Sequence, residues 1–149
     1  MRILYSYDTP IPDTGADTEQ VINNVAALAR RGVAMELLLP GPVTGAGDAA
    51  AIREYYQVSG EIDVQLLRWR YHGIRALEKW SHALRAPAHL SVASADLIYT
   101  RNLPGAWSFL RAGRRVVYEH FRPWGDQYPL LQPFLRQVLR HPNLVGAVF

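Results

Sequence analysis

Apolar positions along this chain switch between two periods, and the switching predicts strands alternating with helices. Arg2 to Tyr7 is β-rich and apolar at nearly every position, the pattern of a parallel strand covered on both faces. The stretch Asp8 to Ala16 follows, where Pro10, Pro12 and Gly15 forbid regular structure. Asp17 or Thr18 is placed to cap a helix carrying Val21, Ile22, Val25, Leu28 and Ala29 at helical spacing, with Gly32 as its stop. Val33 to Leu39 reads as a second strand ended by Pro40-Gly41-Pro42, and a Gly-rich loop over 43–47 leads into a short helix from Asp48 to about Val58. Ile62 to Trp69 alternates as a third strand.

The same grammar continues to the last residue. Gly73 to Arg85 is helical in pattern, with Ile74, Leu77, Trp80, Ala83 and Leu84 on one side, and Pro87 breaks it before a further turn near His89 to Ser94. Asp96 to Thr100 is a fourth strand, Leu103 to Ala112 a helix and Arg115 to Glu119 a fifth strand. Tyr128 to Arg140 is a helix that Pro133 should kink or start, and Asn143 to Phe149 is a sixth strand. This order implies right-handed crossovers on a parallel sheet with helices on both faces. The expected fold is α/β, a Rossmann-like three-layer sandwich with a mostly parallel central sheet of about six strands. Residues 1–149 form a single domain, within the usual prior of roughly 100 to 200 residues.

Composition narrows the function classes. A hydrophobic fraction of 49% supplies a real core, and no apolar run approaches the ~18 to 20 residues of a membrane-spanning helix. The N-terminus lacks a signal peptide's layout, so a cytoplasmic chain is expected. With no cysteine there is no disulfide, thiol nucleophile or cysteine-held metal, and the five histidines lack metal-ligand spacing; no metal site is expected. The net charge of +3 divides unevenly, because residues 1–60 carry four cations and seven anions and residues 61–149 carry twelve and six. Fifteen of the sixteen cations are arginine, and Lys79 is the one lysine.

In open parallel sheets ligands sit beyond the carboxyl ends of the strands, so the candidate residues lie in 8–16, 40–47, 70–72, 101–102 and 119–122. The first of these loops lacks the G-x-G-x-x-G of dinucleotide binders, and no G-x-x-x-x-G-K-[ST] phosphate loop, G-x-S-x-G elbow or H-E-x-x-H occurs. A receiver domain would need acidic and lysine positions that this chain fills with Trp69-Arg70 and Glu119-His120. Three pieces remain. Pro10-x-Pro12-x-x-Gly15-Ala16 leads to a helix N-terminus that offers N–H groups to an anion; Asp96 to Asn102 ends a strand in a cation and an amide; Val116 to His120 delivers a carboxylate and an imidazole to the same rim.

In order and spacing, residues 1–40 (MRILYSYDTPIPDTGADTEQVINNVAALARRGVAMELLLP), 95–102 (ADLIYTRN) and 114–120 (RRVVYEH) resemble the N-terminal half of the GT-B glycosyltransferases. The resemblance is to the large retaining group, glycosyltransferase group 1 or family 4-like, that makes bacterial glycolipids, polysaccharides and other glycoconjugates. It implies two Rossmann-like domains, the first binding the sugar acceptor and the second the nucleotide sugar. On that pattern Gly15 and Ala16 belong to the loop near donor diphosphate and acceptor, Arg101 and Asn102 line the acceptor side with Glu119, and His120 matches the catalytic rim histidine near the transferred sugar. No cofactor is expected on this domain; the nucleotide-sugar donor belongs to the full-length enzyme. The partner implied is the C-terminal GT-B domain, which this chain stops short of, so the 149 residues alone are expected to be inactive.

Two further partner readings follow from charge. Arg68, Arg70, Arg75, Lys79, Trp80 and Arg85, and the 130–140 stretch with Arg136 and Arg140, have the composition of an interfacial helix, which suggests peripheral membrane contact. The plainer alternative is that Ile74, Leu77, Leu84, Leu131, Leu135 and Val138 pack on the sheet with the cations in water. No nucleic-acid motif is present, and nucleic acid is not an expected partner. A non-catalytic Rossmann-like binding or interaction domain stands as the alternative function, since fold does not establish activity.

Overall fold

The computed structural model describes residues 1–71, 73–120 and 128–148, and all that follows concerns these. The elements are β1 (Arg2–Ser6), α1 (Ala16–Arg30), β2 (Ala34–Gly41), β3 (Gly45–Ala46), α2 (Ala49–Tyr56), β4 (Ile62–Arg68), α3 (Arg75–Arg85), α4 (Leu90–Ser94), β5 (Leu97–Thr100), α5 (Leu103–Arg111), β6 (Val116–Glu119), α6 (Gln132–Leu139) and β7 (Leu144–Val148). They build one sheet in the order β3-β4-β2-β1-β5-β6-β7. Every neighbouring pair is parallel except β3 with β4. Leu4 of β1 stands between Glu36 of β2 and Ile98 of β5, and this register sets both faces of the core.

Alternation along the strands then divides the core in two. Ile3, Tyr5, Met35, Leu37, Ile62 and Val64 pack under Val21, Ile22, Val25 and Ala26 of α1 and Ile52 of α2. Leu4, Leu38, Ile98, Val116 and Tyr118 pack on the other face under Phe109 and Leu110 of α5 and Val138 of α6. Omitting the two-residue β3, the six parallel strands run in the 3-2-1-4-5-6 order of the doubly wound α/β fold, as expected from the strand–helix alternation.

Local departures have local causes. The Gly-rich loop contributes a seventh strand, β3, antiparallel to β4 with Gly45 opposite Leu66. Glycine permits it, because a Cβ at Gly47 would lie 2.4 Å from Val64 Cγ1. The N-cap of α1 is Gly15; Asp17 and Thr18 fall inside the first turn, where Thr18 is buried and bonded to Tyr7 and Asp13. Pro133 starts rather than kinks its helix, a 3₁₀ turn over Pro129–Leu131 preceding α6.

The side expected to bury on α3 is largely outside. Ile74, Leu77 and Leu84 are 57%, 44% and 56% exposed, whereas Ala83 of that side is buried as expected, Trp80 is half-buried, and His82 from beside it also faces inward. The His82 ring reaches Ser6 at the end of β1, Nε2 to Oγ 3.3 Å, which turns this side of α3 toward the sheet. In α6 the expectation holds, with Val138 buried and Leu131 and Leu135 packed against the core. Among the described residues no helix is long and apolar enough to cross a membrane.

Candidate functional site

β1 and β5 are neighbours, yet the helices that follow them, α1 and α5, cover opposite faces of the sheet. The chain diverges above their carboxyl ends, and a crevice must open there. It is a cleft of about 550 Å³, in the size range of small-molecule sites. Tyr7, Asp8 and Thr9 enter from β1, Arg101 and Asn102 from β5, Lys79 and Trp80 from α3, and Tyr128 to Leu131 close the side.

The polar floor is held by bonds that also build the fold. Asn102 caps α5, its Oδ1 accepting from Gly105 N–H at 2.8 Å, and its Nδ2 donates to Asp8 Oδ2. Lys79 Nζ lies 3.3 Å from the same carboxylate oxygen. One carboxylate, one amide and one ammonium therefore meet at a wall of Tyr7, Trp80 and Tyr128.

Beneath the floor lies a second cluster that is sealed. Arg101 is 2% exposed; its Nη2 donates to Glu119 Oε1 and its Nη1 to the carbonyl of Asp17 in α1 at 3.0 Å. Glu119 also accepts from Tyr5 Oη at 3.2 Å and from Tyr99, whose ring stacks on Tyr5 at 4.9 Å between centroids. Burial, and then the Glu119 charge, pushes the Tyr99 phenol up to about 12 and the Tyr5 phenol higher still, so both remain protonated donors. Burial opposes charge on Arg101, but the bond to Glu119 together with electrostatic attraction to Tyr5, Glu119 and Tyr7 outweighs it and holds the guanidinium above its ordinary value. The cluster ties β1, β5, β6 and α1 together at the base of the cleft.

His82 is a further buried ionisable group here. Burial depresses it to about 4, leaving a neutral ring whose Nδ1 has no hydrogen-bond partner among the described residues.

The residues singled out from sequence are thus distributed. Asn102 is on the cleft floor, Arg101 borders it while its guanidinium is engaged below, and Glu119 belongs to the sealed cluster. His120 follows β6, one strand farther from the switch point; its N–H donates to the Val148 carbonyl at 2.7 Å and its Nδ1 is 3.2 Å from Tyr118 Oη. It is not among the cleft-lining residues. Gly15 and Ala16 open α1, where Asp13 Oδ2 accepts from Gly15 N–H at 3.3 Å and from Thr18 Oγ1 at 3.2 Å. A Cβ on Gly15 would meet the carboxylates of Asp17 and Asp13 at 2.6 and 2.9 Å, so this helix end already faces two of the chain's own anions. Rim positions His72, Phe121 and Arg122 lie outside the described residues.

Sequence reasoning did not single out Tyr7, Lys79, Trp80 or the Tyr5–Tyr99 pair as site residues. Lys79 alone left a signal, as the one lysine in an arginine-rich chain. Among the described residues no group of three His, Asp or Glu side chains is placed to hold a metal ion. No family model, no curated protein and no solved structure matches the chain.

Proposed function

We propose that this domain is the acceptor-binding half of a retaining GT-B glycosyltransferase, which takes a sugar-bearing or hydroxylated acceptor in the β1–β5 cleft. The observation that carries the reading is the cleft's composition: Asp8, Asn102 and Lys79 converge in a cleft that Tyr7, Trp80 and Tyr128 also line. Sugars ask for that combination, since their hydroxyls pair with charged and amide groups and their C–H faces lie on aromatic rings. The strand order is also that of dinucleotide binders, but the first loop lacks their glycine fingerprint.

In this reading Asp8 accepts from an acceptor hydroxyl while Lys79 and Asn102 hold its carboxylate in place. Arg101 and Glu119 act from below, fixing the loop that carries Asn102. The nucleotide-sugar donor is bound by a second domain, and His120 faces the transferred sugar from the rim. The Asp13 and Asp17 carboxylates at the α1 N-terminus oppose a diphosphate there, and they favour a second reading as a non-catalytic sugar-binding module.

Saturation-transfer NMR of the chain against a panel of mono- and disaccharides tests the cleft. At least one sugar should bind, with the signal lost in Asp8→Ala and Trp80→Ala; no binding at millimolar sugar, or binding that survives both changes, overturns the reading. Transfer of a sugar from a nucleotide donor by the whole protein then separates the transferase from the module.

A further inference from the structure

The outward face of α3 is the surface anomaly of this molecule. Leu77 and Leu84 are seven residues apart, two turns on one face, and Ile74 precedes Leu77 by three, so the three form a stripe along the solvent side. Tyr71 extends it at one end, 58% exposed. Across the cleft, Leu130 is 89% exposed, and it lines the same opening as Ala76 and Trp80 of α3. A helix normally turns such residues to the core; here His82 and Ala83 hold that place. The apolar side is therefore left uncovered beside the mouth of the cleft.

Charge identifies what covers it. Between residues 68 and 85 the sequence carries Arg68, Arg70, Arg75, Lys79 and Arg85 against Glu78 alone. Lys79 is engaged by Asp8, and Arg85 Nη1 bonds the Arg68 carbonyl at 2.6 Å, which draws these cations together beside the stripe. Glu78 accepts from the Gly73 N–H at 2.7 Å. A second copy meeting this face about a two-fold axis would bring the same cations against one another. An anionic, apolar-cored surface complements both halves of the pattern at once.

We propose that the α3 face is a peripheral docking surface for an anionic lipid bilayer. Ile74, Leu77, Leu84 and Leu130 enter the boundary between headgroups and acyl chains, and Arg68, Arg70, Arg75 and Arg85 meet the phosphates around them. Docked in this way, the cleft opens next to the membrane surface. The proposal stands on the α3 face with Leu130, Arg68 and Arg70 beside it, and does not depend on what the cleft binds.

Flotation of the whole chain with vesicles tests it. Binding is expected to phosphatidylcholine vesicles containing about one third phosphatidylglycerol, to be lost on pure phosphatidylcholine, and to weaken as salt rises. Leu77→Ser with Leu84→Ser should weaken it by about tenfold or more, and Arg70→Glu with Arg75→Glu by a similar factor. All four positions are exposed, and circular dichroism confirms that the variants fold. Failure of the parent chain to float with the anionic vesicles overturns the proposal. So does undiminished binding by the Leu77→Ser, Leu84→Ser variant, or a dimer in light scattering that this variant abolishes.

Discussion

Two charged clusters flank the β1–β5 switch point, and they are built for opposite conditions. Arg101–Glu119 is closed off from water, with Tyr5 and Tyr99 donating to the carboxylate and the Asp17 carbonyl accepting from the guanidinium. Asp8–Asn102–Lys79 lines the cleft, where the Asp8 side chain is as covered as that of Glu119, at 10% against 9% exposed, but its partner Lys79 is about one third exposed. A buried pair adds little net stability, because desolvation offsets attraction, but it is costly to break by halves. A pair whose cation reaches water is cheaper to break, because the ammonium left behind is solvated and can take a new partner. The first holds the frame, and the second is where a ligand competes.

The strongest break of this contrast is Arg101→Leu. Glu119 is left charged and buried, and unfolding stability should fall by about 3–5 kcal/mol in a urea titration. Adding Glu119→Leu removes the stranded charge, so the double variant should recover a large part of that loss. If it is no more stable than Arg101→Leu alone, the two clusters do not differ as described.

A second test uses pH. His82 is neutral in the fold down to about 4, whereas the unfolded chain takes up a proton near its ordinary value of 6.5. A depressed histidine makes the unfolded state the better proton binder, so stability falls as pH drops from about 6.5 to about 4 and is unaffected by this group above that window. The span corresponds to about 3 kcal/mol. Melting curves of the parent chain and His82→Gln across that range should show the variant lacking this component of the slope; parallel curves would count against a buried neutral ring. Asp8, Arg85 and His89 act on the same ring and shape the residual slope.

Smaller effects sharpen the open side. Asp8→Ala should cost about 1–2 kcal/mol, less than Arg101→Leu because the partly exposed Lys79 it leaves behind can reach water, while abolishing the sugar signal. A large loss of stability would move Asp8 into the frame. Leu77→Ser should be the mildest change, within about 0.5 kcal/mol by thermal denaturation, because the side chain already faces solvent.

Much of the fold was legible in residue order. The apolar runs at Arg2 to Tyr7, Val33 to Leu39 and Asp96 to Thr100 became β1, β2 and β5, since a strand buried on both faces needs apolar residues throughout and little else has that pattern. For Asn102 the expectation is only an amide on the acceptor side, and the structure adds that it is the N-cap before Leu103-Pro104. β3 was not legible, because two residues of a Gly-rich loop pair only where Val64 and Leu66 happen to pass. For the site, the rim positions Asp8, Arg101 and Asn102 follow from strand ends. Lys79 and Trp80 do not, because a helix's membership in a cleft depends on how far it is rotated.

The sequence by itself determined the alternation of strands and helices, hence an α/β sheet with its polar rim at the carboxyl ends, because period and breakers act within a few residues. Only the tertiary structure decided that Glu119 is paired with a buried Arg101 while Asp8 lines the cleft beside a partly exposed Lys79, and that α3 turns Leu77 and Leu84 to the outside. Those outcomes depend on contacts between residues 18 to 114 positions apart, such as Arg101 with Glu119 and Tyr5 with Glu119, and no local pattern encodes which of two equally amphipathic sides such contacts will cover.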